Sequence, residues 1–568
     1  MQLLFRTAHA PVVPTAPAVA AEVRARQLNY YALALAAVLA LGTFFRLFHY
    51  FHNRSLFIDE LFLSINLIKL GFRDLLTGPF MYEQKAPIGY LWAVKLCVTL
   101  FGKQEAALRL FPLLCGLGAL FGFVPVARHF LRPWGVVVAV GILALSAPCI
   151  YHSVEAKQYS TELCAAVLAL LLYTRFGAAS RVGPLLLWGL LGAGLLLFSF
   201  SVIFVLAGIA SVVVLDTVLR KEWKRAALAC LPGAIWLVGF ALQYHFFISK
   251  YPQSAWLIDF FRTQNDGFMP VAGPLLGTLK WVAAKFYFLF LHPLGLLLSL
   301  DGPLQPLADG PWKHLFKMGF LPAVFTTAGL VLLARRQPLT LALLTLPIGL
   351  ALAASALAIY PFYERFTLVF APALALILAY GVQRMLARER RYRLVAAAVA
   401  GLVLLPALVN SARQVARPTL IMNAETNRDV LLFVNEHFQP GDAVYVFWNM
   451  RQAYEYYQDA YQLKYTAIPG SRVKNGTHNQ AEYFQRLLPD FQGLAGKKRL
   501  WFIYNDVNRD AIGDFAGRPA WYHRPEFNPS GMLKTYFAQR GRAVLHYQSP
   551  REPHPATPHA AELFVLND

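Results

Sequence analysis

Long apolar segments alternate with short polar loops over the first 410 residues of this chain. An α-helix needs about 20 apolar residues to cross the roughly 30 Å hydrocarbon core of a bilayer. By this measure the pattern predicts eleven membrane-spanning helices. They lie at residues 30–50, 108–127, 134–153, 159–176, 183–199, 200–218, 226–247, 316–334, 338–360, 366–386 and 394–410.

Two further apolar runs, 88–101 and 276–300, do not fit a simple span. The first has only fourteen residues and carries Lys95 in its middle, and the second contains Lys280 and Lys285. Both are predicted to lie flat at the interface, with their apolar faces in lipid and their lysines extended towards headgroups. In this position they would roof a cavity.

The distribution of basic residues predicts the orientation. If both runs are interfacial, the short loops on one side hold fifteen basic residues against two acidic ones. Basic loops stay cytoplasmic, so the amino terminus is predicted to be cytoplasmic. The membrane is predicted to be a bacterial inner membrane. The extracytoplasmic parts are then the loops 51–107, 154–158, 248–315 and 361–365 and everything after residue 410.

Composition supports a polytopic membrane protein. Hydrophobic residues make up 57% of the chain, charged residues only 15%, and the mean hydropathy is +0.45. The net charge of +21 does not indicate nucleic-acid binding, because the basic residues lie at membrane boundaries. Residues 1–27 are rich in Ala, Pro and Val without the layout of a cleaved signal, and are predicted to be a flexible cytoplasmic tail.

From residue 411 the composition becomes that of a soluble domain, so the transmembrane domain is predicted to cover 28–410 and an outer domain 411–568. Helices are predicted at 427–437, with Asn427 as the cap, and at 479–488. Strands at 443–448, 500–504, 542–548 and 562–566 complete a small α/β layer. Five tyrosines between 454 and 465 are predicted to form packing contacts, with a sugar-stacking platform as the alternative.

An acidic pair follows the first span in the segment Leu56-Phe57-Ile58-Asp59-Glu60-Leu61. Two adjacent carboxylates among apolar residues lose hydration, so they mark a functional site unless they simply begin a polar surface helix. Other charged and polar residues of the predicted outer loops are Glu83, Lys85, Arg109, Glu155, Lys157, Asp259, Arg262, Asp266, Tyr363, Glu364 and Arg365.

These residue types fit transfer from a sugar-phosphate lipid. Cations hold the phosphate and stabilise it as a leaving group, while a carboxylate removes the proton of the acceptor. Structural alternatives remain open at this stage. Lys85 and Arg365 could anchor to lipid headgroups, Glu155 could pair with Lys157, and Arg109 could join helices.

The order of four motifs resembles the GT-C membrane glycosyltransferases, in particular the family of protein O-mannosyltransferases and lipid A aminoarabinose transferases. The motifs are Ile58-Asp59-Glu60, Lys85-Ala86-Pro87, Gly102 to Leu110 with Arg109, and Glu155-Ala156-Lys157-Gln158-Tyr159. The resemblance covers roughly 30–410 and is most specific in the first 160 residues.

The resemblance implies an inverting glycosyltransferase that takes a sugar from a polyprenyl-phosphate donor, with Asp59 as general base. Ala86 and Lys157 depart from the family pattern, and a lysine at 157 lacks the bidentate fork of an arginine. The predicted site comprises catalytic Asp59 and Glu60, donor-phosphate contacts Lys85, Arg365, Arg109 and Lys157, and substrate contacts Glu83, Glu155, Tyr159, Tyr363 and Arg262.

The acceptor hydroxyl belongs to a lipid, a glycan or a protein, and the sequence does not select among them. Asp59, Glu60 and Glu155 could ligate a divalent metal, but no spacing signature assigns one, so no cofactor is predicted with certainty. A transporter or flippase is disfavoured, because mid-span positions are nearly free of charge and no repeat is seen. A non-catalytic scaffold for the outer domain remains an alternative.

Overall fold

The computed structural model describes residues 16–250, 255–299, 310, 313–385, 393–505, 519–522, 524, 526–549 and 559–567. Its first part is almost entirely helical, as the apolar pattern predicts. The helices up to residue 416 are α1 (Ala16–His52), α2 (Ile58–Lys69), α3 (Phe72–Thr77), α4 (Ile88–Phe101), α5 (Glu105–Phe130), α6 (Pro133–Leu145), α7 (Ala147–Ser153), α8 (Tyr159–Phe176), α9 (Val182–Leu196), α10 (Val202–Leu219), α11 (Trp223–Phe246), α12 (Ala255–Thr263), α13 (Leu275–Leu291), α14 (Lys313–Phe316), α15 (Phe320–Arg336), α16 (Pro338–Ala356), α17 (Ala371–Met385) and α18 (Arg393–Ala416).

Each of the eleven predicted spans coincides with one of these helices or with a joined pair. Within the described residues, seven helical segments are long and apolar enough to cross a membrane, or eight if the bent pair α6–α7 is one span. The 3₁₀ turn Glu364–Phe370 and α17 together form one of the seven. Because α8, α9 and α15 miss this criterion, the count of eleven stays a prediction. Helix α1 begins at Ala16, inside the segment expected to be a tail, and residues 1–15 lie outside the described residues.

The bend between α6 and α7 measures 54°, and it frees carbonyl groups that need donors. Arg46 of α1 donates to the carbonyls of Leu143 and Ala144 at 2.9 and 3.1 Å, and Ser411 donates to that of Leu145 at 2.7 Å. Satisfying these groups is required at membrane depth. The bend is therefore supported by side chains from two other helices, and it directs α7 towards the loop at 154–158.

Helices α15 and α17 cross in close contact at two glycines. A Cβ atom at Gly381 would lie 1.9 Å from the carbonyl oxygen of Phe325, and one at Gly329 would lie 2.0 Å from that of Ile377. Small residues at such crossings let two helix backbones approach each other in a membrane. This contact fixes α17 and the 3₁₀ turn that leads into it.

The two runs predicted to be interfacial form α4 and α13. Helix α13 exposes Leu275, Leu276 and Leu279, as a lipid-facing helix would. Lys285 on the same helix does not extend outward as expected. It is buried, with Nζ 3.8 Å from Asp266 Oδ2 and 5.4 Å from the centre of the Trp281 ring, so these contacts take the place of contact with headgroups.

The carboxyl-terminal part forms a five-stranded mixed sheet with the strand order β2-β1-β3-β5-β4. Strand β1 pairs in parallel with β2 and β3, while β5 runs antiparallel to β3 and β4. The predicted small α/β layer is therefore confirmed. Its elements are α19 (Asn427–His437), β1 (Ala443–Val446), α20 (Arg451–Tyr461), β2 (Ile468–Pro469), α21 (Gln480–Leu487), β3 (Arg499–Asn505), α22 (Pro529–Ala538), β4 (Gly541–Gln548) and β5 (His559–Leu566).

The sheet domain packs on α2 and on the loops that follow α1 and α4. One continuous hydrophobic cluster contains Leu56 and Leu63 from the first part of the chain together with Val430, Tyr457 and Trp501 from the sheet domain. Burial of apolar area at such a contact is favourable by about 25 cal/mol per Å². The outer domain and the segment around the acidic pair therefore share a core.

Candidate active site

Glu60 is the buried centre of a polar network. Its Oε2 accepts hydrogen bonds from Arg54 Nη1 at 2.6 Å and from the backbone N–H of Phe57 at 3.0 Å. Its Oε1 accepts from Arg109 Nη2 at 3.0 Å and from the backbone N–H of Ala156 at 2.8 Å. Both oxygens are thus occupied by protein donors, which favours a positioning role over the catalytic role expected for Glu60.

Burial raises the pKa of Glu60, but the two arginines and the two backbone donors outweigh it and hold the pKa well below its usual range. The carboxylate is therefore charged throughout the physiological range. Arg109 lies in the same network and is 1% exposed, and it also donates to the carbonyl of Arg54 at 2.6 Å. Since its donors face the protein, Arg109 joins α5 to the loop before α2 and does not project towards a ligand.

Asp59 has partners different from those of Glu60: it forms an ion pair with Arg365 and lies within the electrostatic influence of Lys157. Arg365 Nη1 donates to Asp59 Oδ2, and the two side chains are 22% and 8% exposed, respectively. Burial raises the pKa of Asp59, but the charges of Arg365 and Lys157 outweigh it and lower the pKa below its usual value. Three predicted residues therefore form one cluster: Asp59 on α2, Lys157 in the loop 154–158 and Arg365 in the 3₁₀ turn before α17.

Lys157 connects this cluster to the loop that carries Lys85. Its ammonium group donates to Gln84 Oε1 at 2.7 Å. Burial lowers the pKa of Lys157, while Asp59 opposes that effect. Lys85 itself is half-buried next to Gln84, and Glu83 is exposed. The structure thus brings the loop 81–87 to the edge of the cluster through Gln84, with Glu83 at the surface.

Glu155 lies beneath the cluster in a chain of buried polar side chains. Its Oε2 is 2.6 Å from His152 Nδ1, and His152 Nε2 is 3.0 Å from His292 Nε2. Burial, together with the neighbouring His152, lowers the pKa of His292 well below its usual value, so its ring stays neutral. Tyr151 donates to Glu155 Oε1 at 3.4 Å. Glu155 is therefore held by two residues of α7, and His292, the residue after α13, contacts one of them.

The predicted aromatic contacts divide into two groups. The Tyr159 ring is buried with its centre 5.5 Å from the Arg365 guanidinium carbon, so it lines the cluster. Tyr363 is half-buried, and its ring lies 5.8 Å from Lys285 Nζ. Arg262 is exposed on α12 and is not brought into the cluster, although its neighbour Phe261 packs on the Phe366 ring at 5.4 Å.

Sequence reasoning missed Arg54, His152 and His292. Arg54 lies on the predicted outer side, where arginine is disfavoured, and that exception close to an acidic pair was a usable signal. The two histidines are 140 positions apart, and nothing in the local pattern joins them. For a metal, the described part of the chain contains no group of three or more His, Cys, Asp or Glu side chains arranged to hold an ion.

Comparisons with known proteins give one family match and several similar solved structures. The sequence model of the family described as dolichyl-phosphate-mannose-protein mannosyltransferase matches residues 85–244, and no curated protein matches significantly. The solved structure of ArnT from Cupriavidus metallidurans in the apo state is similar with a TM-score of 0.50 and 14% identity, over 95% of this chain and 98% of that one.

Two more solved structures are similar at lower scores. ArnT from Cupriavidus metallidurans bound to undecaprenyl phosphate has a TM-score of 0.48 and 15% identity over 94% of this chain and 98% of that one. The oligosaccharyltransferase AglB from Archaeoglobus fulgidus, in complex with an inhibitory peptide and a dolichol-phosphate, has a TM-score of 0.45 and 12% identity over 92% and 74%. The resemblance to GT-C glycosyltransferases is thus confirmed for the fold and the matched segment, and the chain is an integral membrane protein.

Proposed function

We propose that this protein is an inverting glycosyltransferase that moves a sugar from a polyprenyl-phosphate donor to a hydroxyl group, with Asp59 as general base. The observation that carries the proposal is the meeting of Asp59, Lys157 and Arg365, from three separate segments of the chain, at one half-buried place in a GT-C-type fold. The matched family segment contains Lys85 and Lys157, and that family's description names a dolichyl-phosphate-linked sugar.

The charge balance of the site favours an anionic ligand. In the cluster at Asp59 the two cations, Arg365 and Lys157, outnumber the single carboxylate, and Lys85 lies on the adjoining loop. Within the described residues, Arg365 Nε is buried without a hydrogen-bond partner and is free to donate. A phosphate group supplies the missing charge and acceptor oxygens.

The reaction follows from these positions. Arg365 and Lys157, with Lys85 beside them, bind the donor phosphate. Asp59 Oδ1 accepts the proton of the acceptor hydroxyl while that oxygen attacks the anomeric carbon from the side opposite the phosphate. The bond from the carbon to the phosphate oxygen breaks, its electron pair leaves with the polyprenyl phosphate, and the cations stabilise the added charge. Inversion at the anomeric carbon results.

The proposed topology places this chemistry outside the cytoplasm. The basic loops meet at the other end of the helices, where the backbone N–H of Arg132 donates to Gln383 at 2.7 Å and Arg225 donates to the carbonyl of Ala178 at 3.2 Å. Basic loops face the cytoplasm of a bacterial inner membrane. The cluster at Asp59 and the outer domain then face the extracytoplasmic side, where the acceptor lipid, glycan or protein is met.

The test is the substitution Asp59→Asn in the full-length protein. It keeps the shape of the side chain and removes its basicity, so we expect sugar transfer from a polyprenyl-phosphate donor to fall by roughly 10²- to 10⁴-fold. Binding of polyprenyl phosphate should be retained, because the cations remain. The substitution Asp74→Asn, on α3 away from the cluster, is the matched control. Wild-type transfer rates in the Asp59→Asn variant would refute the assignment of the base.

A further inference from the structure

The outer domain holds the segment that precedes Asp59 by its backbone. The N–H of Leu56 donates to the hydroxyl of Tyr457 on α20 at 2.9 Å. The carbonyl of Leu56 accepts from the side-chain amide of Asn427 on α19 at 2.9 Å. Asn427 was expected to cap α19, but Thr426 occupies that position and Asn427 is used for this contact. Both backbone polar groups of Leu56 are thus bound by the outer domain.

A second buried acid completes the contact. Glu105, at the start of α5, is fully buried and accepts hydrogen bonds from Tyr457 at 3.0 Å, Tyr461 at 2.7 Å and Arg428 at 3.0 Å. The Tyr457 hydroxyl therefore accepts from Leu56 and donates to Glu105. Its orientation is fixed from both sides, and so is the position of the Leu56 N–H. Four of the five tyrosines between 454 and 465 are buried, which favours the predicted packing role over a sugar-stacking platform; they are Tyr454, Tyr456, Tyr457 and Tyr465.

The far end of α2 is held by the same helix of the outer domain. Glu455 on α20 accepts from Lys69 at 2.5 Å and from the Tyr82 hydroxyl at 2.7 Å. The start of α2, where Asp59 is the second residue, is bound by Tyr457 and Asn427 through Leu56. The outer domain therefore contacts α2 near both of its ends.

We propose that Tyr457 and Asn427 are positioning residues that set the place of the Asp59 carboxylate, so that the outer domain is part of the catalytic apparatus and not a separate binding module. This proposal rests on the function proposed above. Glu60 holds the turn at Asp59 through its contacts with Arg54 and Arg109. The outer domain holds the same turn through its two hydrogen bonds to Leu56. A displacement of about 1 Å can cost roughly 10²-fold in rate.

The experiment compares Tyr457→Phe with Tyr454→Phe in the full-length protein. Tyr454 is a buried residue on the same helix, and its hydroxyl accepts from the Ala467 N–H within the outer domain at 2.7 Å. Both variants lose one buried hydroxyl, but only Tyr457→Phe affects Leu56. In Tyr457→Phe we expect faster amide hydrogen exchange in residues 54–62, a kcat about 10- to 100-fold lower and a KM for the donor changed by less than about twofold.

Three results would overturn the proposal or its parts. Unchanged exchange in residues 54–62 of Tyr457→Phe refutes the contact as a constraint. Faster exchange with wild-type kcat refutes the positioning role, and an equal loss of kcat in Tyr454→Phe refutes its specificity. If Tyr457→Phe does not fold, Asn427→Ala gives the same test, because it removes only the donor to the Leu56 carbonyl. The exchange measurement requires no activity, so it stands even if the wild-type protein transfers no sugar.

Discussion

Replacing Glu60 by glutamine separates its structural role from the chemistry assigned to its neighbour Asp59. Oε1 accepts from Arg109 and the Ala156 N–H, while Oε2 accepts from Arg54 and the Phe57 N–H. In glutamine one of these two atoms becomes an NH₂ group that donates. Whichever way the amide is turned, a donor then faces two other donors, and no rotamer restores the lost contacts.

The cost follows from the burial of the network. Glu60 is fully buried and Arg54 and Arg109 are 6% and 1% exposed, so neither guanidinium can turn to bulk water. Removing one partner of a buried ion pair destabilises a protein by about 3–5 kcal/mol. Asp59→Asn should cost less, because its partner Arg365 is 22% exposed and can be solvated. We therefore expect Glu60→Gln to be the more destabilising of two isosteric changes at adjacent positions.

The measurement is the free energy of unfolding in mixed detergent micelles, alongside the rate of sugar transfer. Glu60→Gln should lose stability and, where it folds, retain measurable transfer at low temperature. Asp59→Asn should lose less stability than Glu60→Gln and should lose transfer. If Glu60→Gln were as stable as the wild type and as inactive as Asp59→Asn, Glu60 would be a chemical participant, and the reading of its contacts would be wrong.

Two more predictions concern the pKa of Asp59 and the helix crossing. Lys157→Gln removes one of the charges that lower the pKa of Asp59. The pKa of Asp59 should rise, so the acidic limb of the pH profile of kcat/KM should move to higher pH. An unmoved limb would contradict the role of Lys157. Gly381→Ala places a Cβ 1.9 Å from the Phe325 carbonyl and should lower the free energy of unfolding by about 1–3 kcal/mol, whereas Gly401→Ala, with nothing within 4 Å, should not.

Much of the fold follows from the sequence, because a bilayer limits the conformations that the backbone can adopt. Apolar runs long enough to span must be helical. The central strands of the outer domain are short continuous apolar runs, 443–448 and 500–504, which are typical of buried strands. The length of α9, at fifteen residues, shows the limit of this reasoning. Hydropathy finds an apolar segment, but the helix ends depend on contacts with neighbouring helices that a single sequence does not reveal.

The site was predictable only where charge stands out against an apolar background. Asp59 and Arg365 could be predicted as site residues because a charged residue near a membrane span is costly and by default functional. The different roles of Asp59 and Glu60 were not predictable. They depend on the helical turn of α2, which directs adjacent side chains to different partners. Tyr457 looked like one of several tyrosines in a soluble domain, and only the tertiary contact with Leu56 distinguishes it.

The arrangement explains why so many charges lie in one buried place. A buried ion pair adds little net stability compared with apolar packing, because desolvation offsets the attraction. The spans already supply apolar contacts, so the network at Glu60 is better understood through the geometry it enforces. It joins the loop after α1, the start of α5 and the loop at 154–158. Asp59 follows directly after the residues held by this junction, and its own partners are Arg365, with which it forms an ion pair, and the nearby charge of Lys157.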